Sequence, residues 1–275
     1  MATETSAAMN CDICGAPDFT AVTQAEKYGS GRVVVCNNCG FVYVPIRRSF
    51  EEIANSWDDI YGEGYTSNWP AVHARLHYVA EWFEQTNGWD GKSVLEIGAG
   101  EGKFLDIVRG YGAHPVGIEP SAENCQKIRQ KDIMAHHGTI EKVGQAGTFD
   151  IVAILWTLEN CQDCIGMLKL AHKNLAADGI LLVATGSRIM VPFKKPIETY
   201  FSHNPPDTHC FRFSAISLAN AVSRAGFGNQ MTFNEYSQSD WMILTTTKGP
   251  TVPAIRKENP EHVLRFFDDW ERCAW

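Results

Sequence analysis

The chain has 275 residues, 44% hydrophobic and 20% charged, with a formal net charge of −8. That balance excludes a disordered or collagen-like chain, and no run of about 18 apolar residues offers a membrane span. The acidic total weighs against nucleic acid as a partner, because phosphate binding needs a basic face, and the opening MATETSAAMN lacks the basic-then-apolar pattern of a secretion signal, so a cytoplasmic location is expected.

Residues 1–48 are short of core-forming side chains and punctuated by cysteine. Of nine cysteines, four fall before residue 40, as Cys11-Asp-Ile-Cys14 and Cys36-Asn-Asn-Cys39, each pair followed by a glycine, Gly15 and Gly40. The 21 residues between the pairs are enough for a hairpin that brings both knuckles together. Four thiolates at about 2.3 Å make a closed tetrahedral zinc site with no open position for catalysis. A structural Zn2+ held by Cys11, Cys14, Cys36 and Cys39 is therefore expected, and so short a segment would need it to fold. Cys161-Gln-Asp-Cys164 repeats the spacing without a partner pair and is read as packing. His136 and His137 are neighbours on a strand, point to opposite faces, and are not read as ligands.

Residues 49–90 are rich in aromatics and predict a helix over 71–85, forming a linker or lid. Residues 91–248 alternate strand-like apolar runs with amphipathic stretches, the pattern of a parallel sheet with crossover helices. Strands are expected at 93–97, 115–119, 133–136, 149–155, 179–184, 228–235 and 241–247, and helices at 102–110, 121–131, 161–175 and 214–224. Ser121 and Ser214 are expected N-caps, and the turn at 177–179 is expected to stop the helix before it with a glycine. The link 236–240 is too short for a helical crossover, so the last two strands should run antiparallel. The fold class expected is α/β, a doubly wound seven-stranded sheet with its last strand antiparallel, preceded by a small zinc ribbon. Residues 249–275 form a tail with a helical stretch over 260–270.

The segment Val94-Leu-Glu-Ile-Gly-Ala-Gly-Glu-Gly102 follows a buried strand and opens a helix. Glycines there let the backbone turn sharply and approach a ligand without Cβ clashes. Glu119 stands at the end of the next strand, placed to accept both ribose hydroxyls of a nucleoside-bearing ligand. Two ligand classes compete. A dinucleotide site has G-x-G-x-x-G with pyrophosphate at the helix N-terminus, whereas the spacing here is G-x-G-x-G. Glu96 also sits where an anionic pyrophosphate is unwelcome and a cationic sulfonium or ammonium is tolerated.

With V-G-I-E-P-S, F-D-I-V and L-A-A-D-G-I-L-L-V following in order, residues 70–248 resemble the class I S-adenosylmethionine-dependent methyltransferases. The resemblance implies S-adenosylmethionine as cofactor, with Glu96, Gly98, Ala99, Gly100 and Gly102 around its methionyl portion and Glu119, followed by Pro120, on its ribose. Gly138, Thr139 and Ile140 would flank adenine, and Leu155, Trp156 and Leu158 would line the mouth of the site.

Methyl transfer requires an aligned nucleophile and a place for its proton. The segment Thr208-His209-Cys-Phe211-Arg-Phe213-Ser214, behind a zinc ribbon, resembles the zinc-binding C-methyltransferases of nucleotide-linked deoxysugars. That family's loop reads roughly Y-H-E-H and then F-S, and its last histidine is an active-site base. His209 matches that histidine, while Pro206, Asp207 and Thr208 replace the other three. A Y-x-x-x-Y ahead of a helix, here Tyr61 to Tyr65, occurs in the same family, which makes Tyr65 a second candidate. The family's long C-terminal domain has no counterpart in this sequence. Asn204-Pro-Pro206 resembles the N-P-P-[YF] motif of nucleobase amino-methyltransferases, but that motif belongs after the fourth strand, where Leu155-Trp-Thr-Leu158 stands. The expected activity is transfer of a methyl group to oxygen, nitrogen or carbon of a small-molecule acceptor, such as a nucleotide-linked sugar or a glycan or natural-product precursor. A ribosomal or transfer RNA methyltransferase and an inactive cofactor-binding module for protein contacts are the alternatives.

Overall fold

Apolar side chains that alternate between two faces build the larger of two sheets. The computed structural model describes residues 8–52, 55, 70–189, 191–193, 195–202, 209–234, 241–249 and 255–273. Its strands are β1 (Phe19–Ala21), β2 (Val34–Cys36), β3 (Val42–Tyr43), β4 (Ser93–Ile97), β5 (His114–Glu119), β6 (Met134–His137), β7 (Phe149–Leu155), β8 (Leu175–Gly186), β9 (Phe211–Arg212), β10 (Phe227–Phe233) and β11 (Trp241–Lys248). Its helices are α1 (Thr23–Tyr28), α2 (Pro70–Thr86), α3 (Lys103–Gly110), α4 (Ala122–Arg129), α5 (Ile140–Val143), α6 (Cys164–Asn174), α7 (Ile197–Tyr200), α8 (Ala215–Arg224) and α9 (Pro260–Arg272).

The seven-stranded sheet has the order β10-β11-β8-β7-β4-β5-β6. Strands β4 to β8 pair in parallel, β11 lies antiparallel to β8, and β10 lies antiparallel to β11, as the short link before Trp241 predicts. Along each central strand the faces alternate. Val94, Ile151, Ala153 and Leu182 pack with Val79, Phe83, Phe104 and Val108 on the α2–α3 face. Leu95, Val152, Ile154 and Leu181 pack with Leu168, Ala171, Leu218 and Val222 on the α6–α8 face. Burial on both sides explains the near-continuous apolar runs in these strands. The chain winds outward from β4 to β6 and then returns to β7 on the other flank of β4. The carboxyl ends of β4, β5 and β7 therefore meet where the winding reverses, the place where such sheets open a crevice.

The serine caps stand where the sequence puts them. Ser121 Oγ accepts from Asn124 N at 3.3 Å, and Ser214 and Ser217 form a reciprocal capping box at the start of α8. Two expectations are corrected. The helix expected over 161–175 starts later, at Cys164, because Leu158–Asn160 first take a 3₁₀ turn and Asp163 is the N-cap, accepting from Gly166 N at 2.8 Å. The glycine stop at 177–179 does not form: the chain passes from Asn174 straight into β8. Gly179 lies inside that strand, where a Cβ would come within 2.9 Å of the Asp150 carbonyl oxygen.

The smaller sheet has the order β1-β2-β3-β9, so a strand from residues 211–212 completes the cysteine-bearing hairpin. Its outer face is covered by the tail: Val263, Phe267 and Trp270 of α9 pack with Val33, Val35, Val42 and Phe201. Its inner face runs into the main core through Phe41, which stacks 6.0 Å from Phe211 and lies 5.6 Å from Phe213. Glu258 ties the two sheets together. Its N–H donates to Cys39 O at 3.1 Å, and its carboxylate accepts from Ser214 Oγ at 2.6 Å and pairs with Arg188. Gly40 makes room for it, since a Cβ there would sit 2.8 Å from Glu258 Cβ.

Candidate functional site

After β4 the chain turns through Gly98, Ala99, Gly100 and Glu101 to Gly102, the N-cap of α3. Gly98 has φ 77° and a Cβ there would lie 2.4 Å from Thr157 Oγ1, so both its conformation and its neighbour exclude other residues. Gly98 N and Ala99 N both donate to Ile118 O, at 2.8 and 3.1 Å, which fastens the turn to β5. Glu119, the last residue of β5, closes the turn from the other side. Its Oε2 accepts from Gly100 N at 2.8 Å and its Oε1 from Ser121 N at 2.9 Å. Each carboxylate oxygen has a second lone pair, so this geometry leaves capacity for ligand hydroxyls.

Glu96 occupies an inward slot of β4, 3% exposed, and its Oε2 meets no hydrogen-bond partner among the described residues. Burial, and then the negative charge of Glu119, push its carboxyl well above the ordinary glutamate range. Two acids within electrostatic reach of each other on adjacent strands disfavour a phosphate. They favour a ligand that brings a positive charge or donor groups.

Two clefts flank the turn and share Arg75, Gly98, Leu155 and Trp156 as walls. The larger encloses about 180 Å³ and gathers Glu119, Pro120, Gly138, Thr139 and Ile140, so the ends of β5 and β6 meet the residues expected there. The smaller, about 100 Å³, takes in Glu96, Ala99, Gly100 and Lys103. Trp156 leaves β7 in the left-handed region, φ 50°, an uncommon conformation for a bulky residue that turns its ring toward both clefts. The Arg75 guanidinium lies 4.1 Å from the centre of that ring. Two expected residues are placed elsewhere. Gly102 lines neither cleft, a Cβ there meeting Ile128 at 2.7 Å. Leu158 is fully buried in the core beneath β7, because the 3₁₀ turn carries it inward, and Thr157 takes the place at the mouth.

The next residue on that turn, Glu159, escapes sequence reading altogether. It is 5% exposed and its backbone carbonyl accepts from Cys210 N at 2.8 Å, which brings His209 beside it. His209 is half-buried, and its own carbonyl accepts from Arg212 Nη1 at 3.1 Å. Burial pushes the Glu159 carboxyl up, offset in part by the neighbouring His209. Arg75 is the second residue sequence reading misses; its signal is a single arginine on a helix that has no lysine. Tyr65, with Tyr61, His203 and residues 204–206, lies outside the described residues.

The four N-terminal cysteines converge. Their sulfurs all lie within 4.8 Å of one another, with Cys11 Sγ 3.6 Å from Cys39 Sγ and Cys14 Sγ 3.4 Å from Cys36 Sγ. A tetrahedron of sulfurs at about 2.3 Å from a zinc ion has edges of about 3.8 Å, so the spacing matches. Each knuckle closes alike: Gly15 N donates to Cys11 O at 2.7 Å and Gly40 N to Cys36 O at 2.9 Å, with both glycines at φ 75°. Hydrogen bonds from Cys11 and then Cys39 pull the Cys36 thiol down, whereas hydrogen bonds from Cys36 and then Cys39 push the Cys11 thiol up, so the close sulfurs favour one thiolate at the expense of its neighbours. Cys161 and Cys164 stand apart from this cluster, both buried, Cys161 on the wall of the larger cleft.

A doubly wound sheet with an acid-flanked glycine turn at its switch point defines an α/β protein with a crevice where such sheets bind ligands. The Methyltransferase domain family matches residues 71–231, more than half of the chain, and the chain belongs to that family. Among curated relatives, the ubiquinone biosynthesis O-methyltransferase of Actinobacillus pleuropneumoniae is 26% identical over 218 residues, covering 70% of this chain and 90% of that protein. The enzyme of the same name from Aromatoleum aromaticum is 30% identical over 124 residues, 42% of this chain and 51% of that one. Over three such relatives the match spans 51%, 62% and 63% of their length. Solved structures share the fold. Magnesium protoporphyrin IX methyltransferase from Synechocystis, with bound S-adenosylhomocysteine, superposes with a TM-score of 0.53 at 15% identity over 71% of this chain and 94% of that one. The 1,6-didemethyltoxoflavin-N1-methyltransferase of Burkholderia thailandensis gives 0.54 at 14% identity over 76% and 95%.

Proposed function

We propose that the protein is an S-adenosylmethionine-dependent methyltransferase acting on a small molecule, with a structural zinc ion at Cys11, Cys14, Cys36 and Cys39. The observation that carries this reading is the pair of buried carboxylates around the Gly98 turn. Glu119, already oriented by two backbone N–H groups, would take the ribose hydroxyls. Glu96, with an orphaned buried oxygen, would receive the ammonium of the methionyl portion, and its raised affinity for a proton becomes affinity for that cation. Thr139 and Ile140 would flank adenine, and Leu155 and Trp156 would close the site around the sulfonium. The Synechocystis and Burkholderia thailandensis enzymes that share the fold hold S-adenosylhomocysteine, which supports the cofactor. The zinc ribbon and the His209 segment favour a nucleotide-linked sugar as acceptor.

Calorimetric titration of S-adenosylmethionine into the wild type and Glu119→Ala tests the site. Loss of charge-assisted hydrogen bonds worth about 1.5–3 kcal/mol should weaken binding by about ten-fold or more. Equal affinities would remove Glu119 from the site. Elemental analysis should find about one zinc per chain, and a value well below one would remove the metal.

A further inference from the structure

Between the small sheet and the larger cleft stands Arg47, with none of its side chain exposed. Its rigid fork reaches three separate parts of the chain. Nη1 and Nη2 donate to the two carboxylate oxygens of Asp12 at 2.8 and 2.5 Å, Nη1 donates also to Gln162 O at 2.7 Å, and Nε donates to Val44 O at 2.7 Å. Asp12 lies between Cys11 and Cys14 on the first knuckle, its side chain 7% exposed. Gln162 and Cys161 stand on the wall of the larger cleft, just before Asp163 caps α6. Phe50, on the segment that follows Arg47, lines the same cleft. Its turn is fixed by a reciprocal pair: Ser49 N donates to Glu52 Oε2 at 2.7 Å, and Glu52 N to Ser49 Oγ at 3.2 Å. None of Phe50, Cys161 and Gln162 lines the smaller cleft. One buried side chain thus touches the cysteine knuckle on one side and holds the wall of one particular cleft on the other.

We propose that Arg47 is a positioning residue that couples the cysteine knuckle to the larger cleft, so that zinc and S-adenosylmethionine bind cooperatively. The inference rests on the methyltransferase and zinc readings given above. With Cys11 and Cys14 both held as metal ligands, Asp12 between them has one place, and its two oxygens fix the plane of the guanidinium. The same plane aims Nη1 at Gln162 O and so sets the Cys161–Gln162 wall. With the knuckle released, the ion pair loses its fixed geometry and the wall samples other arrangements. The share of molecules ready for the nucleoside then falls, and apparent affinity falls with it. Linkage makes the effect mutual: whatever factor the metal contributes to cofactor binding, the cofactor returns to metal binding.

Equilibrium competition for zinc with a chelator of known affinity reads the coupling on the zinc-loaded protein, with and without saturating S-adenosylhomocysteine. In the wild type the nucleoside should tighten zinc binding by about five-fold or more. Replacing both partners, Asp12→Leu with Arg47→Met, removes the link without leaving a buried charge unpaired, so this variant should keep the fold. It should bind zinc and S-adenosylhomocysteine with a coupling factor near one. A general gain in stability from ligand binding would survive in it, so loss of the factor reports the link itself. A wild type whose zinc affinity ignores S-adenosylhomocysteine overturns the coupling, and so does a double variant that keeps the whole factor. Calorimetry and elemental analysis of the same samples separate the readings. Wild type that binds no zinc removes the metal and the coupling together, and wild type that binds no S-adenosylhomocysteine removes the methyltransferase reading and the coupling together. Independent binding of both removes the coupling alone.

Discussion

The two sheets of this molecule are held by different physics. The seven-stranded sheet buries apolar side chains on both faces and draws its helices from its own crossovers. The four-stranded sheet has strands of two or three residues, borrows β9 from beyond residue 210 and α9 from the tail, and gathers four thiols at one end. The first is a core that assembles itself. The second is a joint, assembled from three distant parts of the chain and fastened by sulfur and by buried ion pairs. Arg47 shows the style of that fastening. With none of its side chain exposed, it donates to Asp12 at 2.5 and 2.8 Å and to Gln162 O at 2.7 Å, and it stacks 4.4 Å from the Phe211 ring.

The contrast breaks most sharply on metal removal. A strong chelator should take away on the order of 10 kcal/mol of coupled folding energy from the small sheet. Hydrogen exchange should then rise at Val34–Cys36 and Val42–Tyr43 while β4 and β7 stay protected. Equal loss of protection in both would make them one cooperative unit. Arg47→Ala leaves Asp12 buried and unpaired and should destabilise by about 3–5 kcal/mol, read by urea unfolding, with exchange again rising first in the small sheet. Leu95→Ala, in the large core, should cost about 3 kcal/mol and leave the zinc content unchanged; a drop in bound zinc would show that the two cores are not separable. The smallest effect is a slope. The folded-state pKa of Glu96 lies above its unfolded value, so the stability it contributes is complete below the ordinary glutamate value of about 4.3. That contribution is lost as pH rises through the raised value, at most about 1.4 kcal/mol per pH unit. Glu96→Gln should flatten this part of the ligand-free stability curve, measured by urea unfolding at a series of pH values. An identical curve would mean that Glu96 titrates alike in both states.

Much of the large sheet was legible because its signals are local. Strands buried on both faces read as apolar runs, Ser121 and Ser214 sit next to the helices they cap, and Gly98 and Glu119 are separated by one strand-helix-strand unit. The cysteine knuckles were legible for the same reason. What stayed hidden depends on partners far away in sequence. Two-residue β9 becomes a strand only because β3 lies beside it, and nothing in Phe211-Arg212 alone says so. Glu159 is one acid among 32 until the turn after β7 buries it and the Cys210 N–H reaches its carbonyl. Leu158 was misread because an apolar residue after a strand fits both a cleft wall and a core, and only the 3₁₀ turn decides between them.

The pairing of β3 with β9 has a further consequence. Val42 and Tyr43 align with Arg212 and Phe211, and His209 lies two residues before that register. The cysteine hairpin therefore acts as a ruler for the segment that carries the histidine, while the Gly98 turn is gauged by β4 and β5. Slippage of the ruler would leave the Gly98 turn true and throw the segment from His209 to Arg212 out of line.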